Sequence, residues 1–173
     1  MLISPEYKQL NIKKHEGKGY GIHGYRFAEG VHNICMQEGF RSVLDYGCGK
    51  GTLSKALPLA AHNYQFSEYD PAIKGKDGEP NPAELVVCTD VLEHIEPVCI
   101  DDVLDHIKGL TLKAAFFVVH TGPAMKTLAD GRNAHLIIEK AYWWLREIGY
   151  RFDIERFSGT RKEFSAIVRP KNG

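Results

Sequence analysis

The chain of 173 residues holds only four cysteines, Cys35, Cys48, Cys88 and Cys99, and no two stand in C-x-x-C spacing. That excludes a disulfide frame and a zinc site, and is expected of a cytoplasmic protein with reduced thiols. Net charge is zero, which speaks against a broad nucleic-acid footprint. No apolar run approaches a membrane span, so no membrane partner is expected. The opening "MLISPEYKQL" lacks the basic-then-apolar order of a secretory leader. Internal repeats are absent. So is a nucleoside-triphosphate loop, because "GKGT" has neither the ending nor the spacing.

What is present suffices for one buried core: 43% of residues are apolar and 25% charged. The length suits one domain. Charge is uneven, with an acidic middle and basic ends. Residues 1–19 are mostly polar and end in "NIKKHEGKG", expected to be a mobile N-terminal arm or lid; residues 20–173 are expected to form a single domain.

Helical periodicity places Phe27, Val31, Ile34 and Cys35 on one face, with Gly39 as the stop. "SVLDY", "YQFSEYD", "AELVVCTD" and "KAAFFVVHT" read as strands, and "CIDDVLDHIKGL" as a helix. "AHLIIEKAYWWLREIG" is expected to be a second long helix capped by Asn133, with Trp143 and Trp144 in the core. "YRFDIERF" and "EFSAIVRP" read as a closing hairpin. The expected fold is α/β, a doubly wound, mostly parallel, Rossmann-like sheet with a C-terminal antiparallel hairpin. Ligands of such sheets bind beyond the carboxyl ends of the strands. "DYGCG", "YDP", "CTDVLEH" and "HTGP" should therefore meet on one rim.

In "RSVLDYGCGKGTLSKAL", Asp45, Gly47, Gly49 and Gly51 stand two residues apart between a strand and a helix. Gly47 and Gly49 permit positive φ and close approach of a ligand, and Gly51 lets the helix sit near the strand. Helix-start N–H groups should then face the ligand. Asp45 beside them suits a group with both ammonium and carboxylate, and serves a phosphate poorly. Asp70, at the end of the next strand, can accept hydrogen bonds from ribose hydroxyls. S-adenosylmethionine has both an amino-acid end and a ribose.

"VLDYGCGKGTL" resembles the first motif of class I S-adenosylmethionine-dependent methyltransferases. "YDPAI" resembles their ribose-binding acidic motif, and "ELVVCTDVLEHIEP" their fourth strand and the segment after it. The resemblance covers about residues 20–169. It implies that Asp45, Gly47, Gly49 and Gly51 hold the methionine end and Asp70 the ribose. It also implies that Cys88, Thr89 and Asp90 lie beside the sulfonium, and that Tyr20 and Gly21 form a flap. In one respect the chain departs from the family. Only nineteen residues separate Asp70 from Asp90, so the third strand is expected to be shortened or missing. Asp77 is a candidate for an adenine contact, against the plainer reading of a solvated loop acid.

Methyl transfer needs alignment and, for a weak nucleophile, a base. Asp90, His94 and His135 are the catalytic candidates, with Glu93 and His120 nearby. The plainer reading of His120 is a buried, satisfied histidine. The loop with Asp130, Arg132 and His135 is expected to face substrate. Asp90, Glu93, His94 and His135 together resemble the E-x-x-E-H…H metal set of small-RNA 3′-terminal 2′-O-methyltransferases. That resemblance implies a divalent ion, with the imidazoles favouring Mn²⁺ or a later metal; no metal ligand is assigned from the residues alone. The region also resembles O-methyltransferases of quinone biosynthesis. No D/N-P-P-F/Y/W pattern and no Pro-Cys pair is present, which disfavours base-amine and cytosine-carbon methylation.

The expected function is S-adenosylmethionine-dependent methyl transfer to O or N of a small or medium polar acceptor. One alternative is a nucleotide or nucleic-acid-end 2′-O-methyltransferase with a divalent metal, favoured by Lys8, Lys13, Lys14 and Lys18. Another is a non-catalytic cofactor-binding subunit. Tyr25 and Phe27 could serve a homodimer or equally the core.

Overall fold

The computed structural model describes residues 1–17, 19–58 and 63–172; Lys18, one of the basic residues of the expected arm, lies outside them. Six strands form one sheet in the order β2-β1-β3-β4-β6-β5. They are β1 (Ser42–Tyr46), β2 (Gln65–Tyr69), β3 (Ala83–Thr89), β4 (Thr111–His120), β5 (Phe152–Gly159) and β6 (Glu163–Pro170). The first four run parallel; β6 pairs antiparallel with β4, and β5 with β6. This is the doubly wound sheet with its closing hairpin. Residues 70–82 contain no strand and no helix, so the third strand of the family is missing and β2 is the sheet edge.

Alternation along the strands covers both faces. Leu44, Val86 and Phe117 face one core with Leu104, Ile107 and Trp144. Val43, Leu85 and Val87 face the other with Val31, Ile34 and Leu53. Helix α2 (Ala28–Glu38) supplies Val31 and Ile34 and ends on Gly39, whose φ of 72° closes it. After the short helix α3 (Thr52–Ala56), α4 (Ile100–Leu110) opens on Asp101 and Asp102, which suit the positive end of its dipole.

Within the expected arm or lid, residues 5–16 form helix α1 (Pro5–Glu16). The Ser4 hydroxyl accepts from Tyr7 N, and Pro5 stands in the first turn. Tyr7 and Asn11 are buried. The long helix expected from Ala134 is shorter, α5 (Ala141–Gly149). Ahead of it, Leu136 N and Ile137 N both donate to the Glu93 carbonyl, at 2.8 and 3.1 Å. Those amides are therefore lost to a helix. Asn133 is accordingly no helix cap. Its Oδ1 accepts from Ala124 N and His135 N, and its Nδ2 donates to the Ala124 carbonyl, each at 2.9 Å. Among the described residues, no helix is long and apolar enough to cross a membrane.

Candidate active site

The carboxyl ends of β1, β2, β3 and β4 open on a cavity of about 470 Å³, roofed by α1 and residues 19–26. Its lining includes the expected Tyr20, Asp45, Gly47, Gly49, Asp70, Thr89, Asp90, His94 and His135. Gly51 and Cys88 are outside it. The Cys88 side chain is fully buried in the core, because successive residues of β3 point to opposite faces. Gly51 has φ 66°, and a Cβ there would stand 2.4 Å from Glu68 Oε1; its smallness serves α3 against β2.

The glycine loop is tight for a visible reason. Gly47 and Gly49 have φ of 77° and 53°, and a Cβ on Gly49 would stand 2.6 Å from the Gly21 carbonyl oxygen. The loop amides, expected to face a ligand, are all engaged within the protein. Gly47 N and Cys48 N donate to Tyr69 O, Lys50 N to Gly21 O, and Gly51 N to Cys48 O. Gly49 N donates to Asp70 Oδ2 at 3.1 Å. Asp70 Oδ1 accepts from Ala72 N at 2.9 Å, and His15 Nε2 stands 3.8 Å from Asp70 Oδ2. Asp45 is buried, and burial followed by the nearby Glu68 charge pushes its carboxyl up to about 8.

At the other end Asp90 has φ 55°, unusual without glycine. Its Oδ1 is buried without a hydrogen-bond partner, and Arg26 Nη1 stands 3.9 Å from Oδ2. Glu93 is fully buried. Its Oε1 accepts from His120 N at 3.0 Å, Oε2 has no partner, and burial pushes the carboxyl up to about 8. The Nδ1 atoms of His94 and His135 each stand 2.6 Å from a backbone carbonyl, of Ala134 and Gly122 respectively. A carbonyl can only accept, so each Nδ1 carries the proton and each neutral ring keeps its lone pair on Nε2. Burial pulls His94 down to about 3 and also lowers His135. The two rings lie 4.8 Å apart, edge to face.

Glu93, His94 and His135 each bring one ligand atom within 4.8 Å of the others; Asp90 is not in that group. His120 lines the cavity with its side chain 35% exposed, 3.6 Å from Glu163, and is not the buried histidine expected. Asp77 is exposed and outside the cavity, bonded to Gly75 N. Of the 130–135 loop only His135 faces the cavity among the polar residues singled out; Arg132 turns back on Asp130 at 2.7 Å.

Sequence reasoning missed the α1 wall: Tyr7, Asn11, Lys14 and His15 all line the cavity. Their spacing at three and four residues, after a Ser-Pro start, was the available signal. Arg26 was missed as well.

A cavity at the carboxyl ends of a parallel sheet, beside a glycine turn and two strand-end acids, is the arrangement of a methyltransferase domain. The model of the family described as "Methyltransferase domain" matches residues 20–158, and the chain belongs to that family. The fold is similar to that of 1,6-didemethyltoxoflavin-N1-methyltransferase from Burkholderia thailandensis, solved with 1,6-didemethyltoxoflavin and S-adenosylhomocysteine. The TM-score is 0.69 at 14% identity, over 99% of this chain and 92% of that one. It is also similar to the N-methyltransferase NodS from Bradyrhizobium japonicum, solved with S-adenosylhomocysteine (TM-score 0.61, 13% identity, 98% and 100% covered). A third similar fold is magnesium protoporphyrin IX methyltransferase from Synechocystis, also with that product bound (TM-score 0.56, 16% identity, 96% and 95% covered). No curated protein matches the chain in sequence.

Proposed function

We propose that the cavity binds S-adenosylmethionine and serves methyl transfer to an oxygen or nitrogen of a small or medium polar acceptor. The observation that carries this is the joint lining of one cavity by Asp45, the Gly47–Gly49 turn and Asp70 at one end and by His94 and His135 at the other. When bound, the cofactor would supply a methyl group on a sulfonium, whose transfer to the acceptor's lone pair would release the neutral thioether. Asp70 would accept from the ribose hydroxyls, with His15 Nε2 3.8 Å from its Oδ2. Asp45 faces the amino-acid end. Tyr20, Thr89 and Asp90 also line the cavity; Tyr20 would cover the cofactor, and Thr89 and Asp90 would flank its sulfonium. Nε2 of His135 takes the acceptor's proton, since its lone pair is free and its Nδ1 is fixed on the Gly122 carbonyl; His94, held at about 3 by burial, is the weaker base of the two candidates. Calorimetric titration of S-adenosylmethionine tests the reading: binding to the wild type and its loss in Asp70→Ala are expected, and no heat with the wild type overturns it.

The Glu93–His94–His135 cluster favours a second reading, a divalent ion that would orient a hydroxyl acceptor such as a ribose 2′-OH. Two imidazoles held through Nδ1 and a carboxylate with one free oxygen fit the donor set of such an ion. Equilibrium dialysis against Mn²⁺ tests it, with retention by the wild type and loss in His135→Ala expected. Equal retention by both removes it.

A further inference from the structure

We infer that the methyl acceptor is an anion, and that the Lys14 ammonium receives its carboxylate or phosphate group. This rests on the methyltransferase reading of the cavity. Helix α1 turns Tyr7, Asn11, Lys14 and His15 toward the cavity. Apart from the buried Tyr7, the inner face of this helix is polar, so hydrophobic burial contributes little to holding it there. Lys14 Nζ is buried and has no hydrogen-bond partner among the described residues. The Tyr20 ring lies under it, 4.3 Å from Nζ to the centroid. Leaving an ammonium desolvated without a counter-charge is costly, and an aromatic face offsets only part of that.

Two carboxyl oxygens of the cavity, Asp90 Oδ1 and Glu93 Oε2, also lack hydrogen-bond partners among the described residues, whereas its other cations are engaged. Arg26 faces Asp90 at 3.9 Å, and Lys126 Nζ donates to the Gly19 carbonyl at 2.6 Å. Asp70 accepts two backbone amides beside His15, and Glu96 accepts from both Ser4 N and Ser4 Oγ. Among the described residues, Lys14 Nζ is the buried cation of the cavity without a hydrogen-bond partner. The Tyr20 ring that it covers lies between the two ends, 4.8 Å from the His15 ring and 5.9 Å from the His94 ring, so an anion on Lys14 is within reach of the imidazoles. An acceptor held there by an anionic group presents its nucleophile beside His94 and His135.

The test uses protein saturated with S-adenosylhomocysteine, with inorganic phosphate and benzoate as probes at constant ionic strength and chloride as reference. One of the two anions should raise the melting temperature of the wild type above the chloride value. Lys14→Met should need about tenfold more of it for the same effect, the size expected for a charge-assisted contact. Lys14→Arg should respond as the wild type does, and Lys14→Gln repeats the loss in a side chain that keeps polarity. A phosphate response points to a phosphorylated acceptor, a benzoate response to a carboxylated one. An equal response in Lys14→Met, or no anion effect beyond chloride, overturns the inference. So does a Lys14→Met protein that binds S-adenosylhomocysteine weakly but 5′-methylthioadenosine normally, because Lys14 then serves the cofactor's own carboxylate. In these cases retained product binding by the wild type leaves the methyltransferase reading intact. Absence of that binding overturns both.

Discussion

The Tyr7 hydroxyl donates to the backbone carbonyl of His94 at 2.7 Å, tying α1 to the segment that carries a catalytic candidate. Tyr7 is itself buried. Removing the hydroxyl leaves the His94 carbonyl short of a donor. Tyr7→Phe should cost about 1 kcal/mol of stability and weaken cofactor affinity through a looser roof. Thermal melts with and without S-adenosylhomocysteine check both effects; an unchanged ligand-induced shift contradicts the second.

Gly49→Ala should be the most damaging single change in the glycine turn. A Cβ there would stand 2.6 Å from the Gly21 carbonyl oxygen, at a φ of 53°. The left-handed conformation alone costs about 1–2 kcal/mol, and the flap carrying Tyr20 must also retreat. Calorimetry should show cofactor binding lost while circular dichroism still reports a folded sheet. Wild-type affinity would contradict the close approach.

Stability should fall as pH rises from about 6.5 to about 8 in the ligand-free protein. Burial holds the carboxyls of Asp45 and Glu93 at about 8, against 3.8 and 4.5 ordinarily. Over that range the unfolded chain has released these protons and the folded chain keeps them, so rising pH favours unfolding. His94 works the other way but only below its ordinary 6.5, since it is neutral in the fold with a value of about 3. Melting temperatures across the range should slope down in the wild type and less steeply in Glu93→Gln. A flat wild-type profile contradicts the burial argument.

Asn133→Ala should release the loop that presents His135. The Asn133 side chain makes three hydrogen bonds, to Ala124 N, Ala124 O and His135 N. Their loss should cost about 1–3 kcal/mol and reduce turnover more than cofactor affinity. The comparison to make is single-turnover rate against product affinity; equal loss in both contradicts a role confined to the acceptor side.

The strands were legible because apolar runs with β-branched residues, such as "SVLDY" and "AELVVCTD", leave few alternatives. One side of the cavity was legible because Asp45, Asp70, Gly47 and Gly49 sit at strand ends where the chain must turn. Local pattern misled in two places. Ala134 to Lys140 has good helical composition, yet the Glu93 carbonyl captures the Leu136 and Ile137 amides, a tertiary contact no local window contains. Residues 5–16 have no apolar stripe because their inner face meets a cavity; a polar sequence there does not mean a solvated one. Cys88 stands beside the site residues in the motif, but strand alternation sends it into the core.

The polar underside of α1 also bears on how the molecule breathes. Elements whose release exposes little apolar surface open at low free energy, well below global unfolding. Tyr7 and Asn11 are the only side chains of α1 that are buried among the described residues. The amides of α1 should therefore exchange with solvent long before those of β1, β3 and β4, and a filled cavity should slow them selectively. Access for ligands and local unfolding would then be the same event.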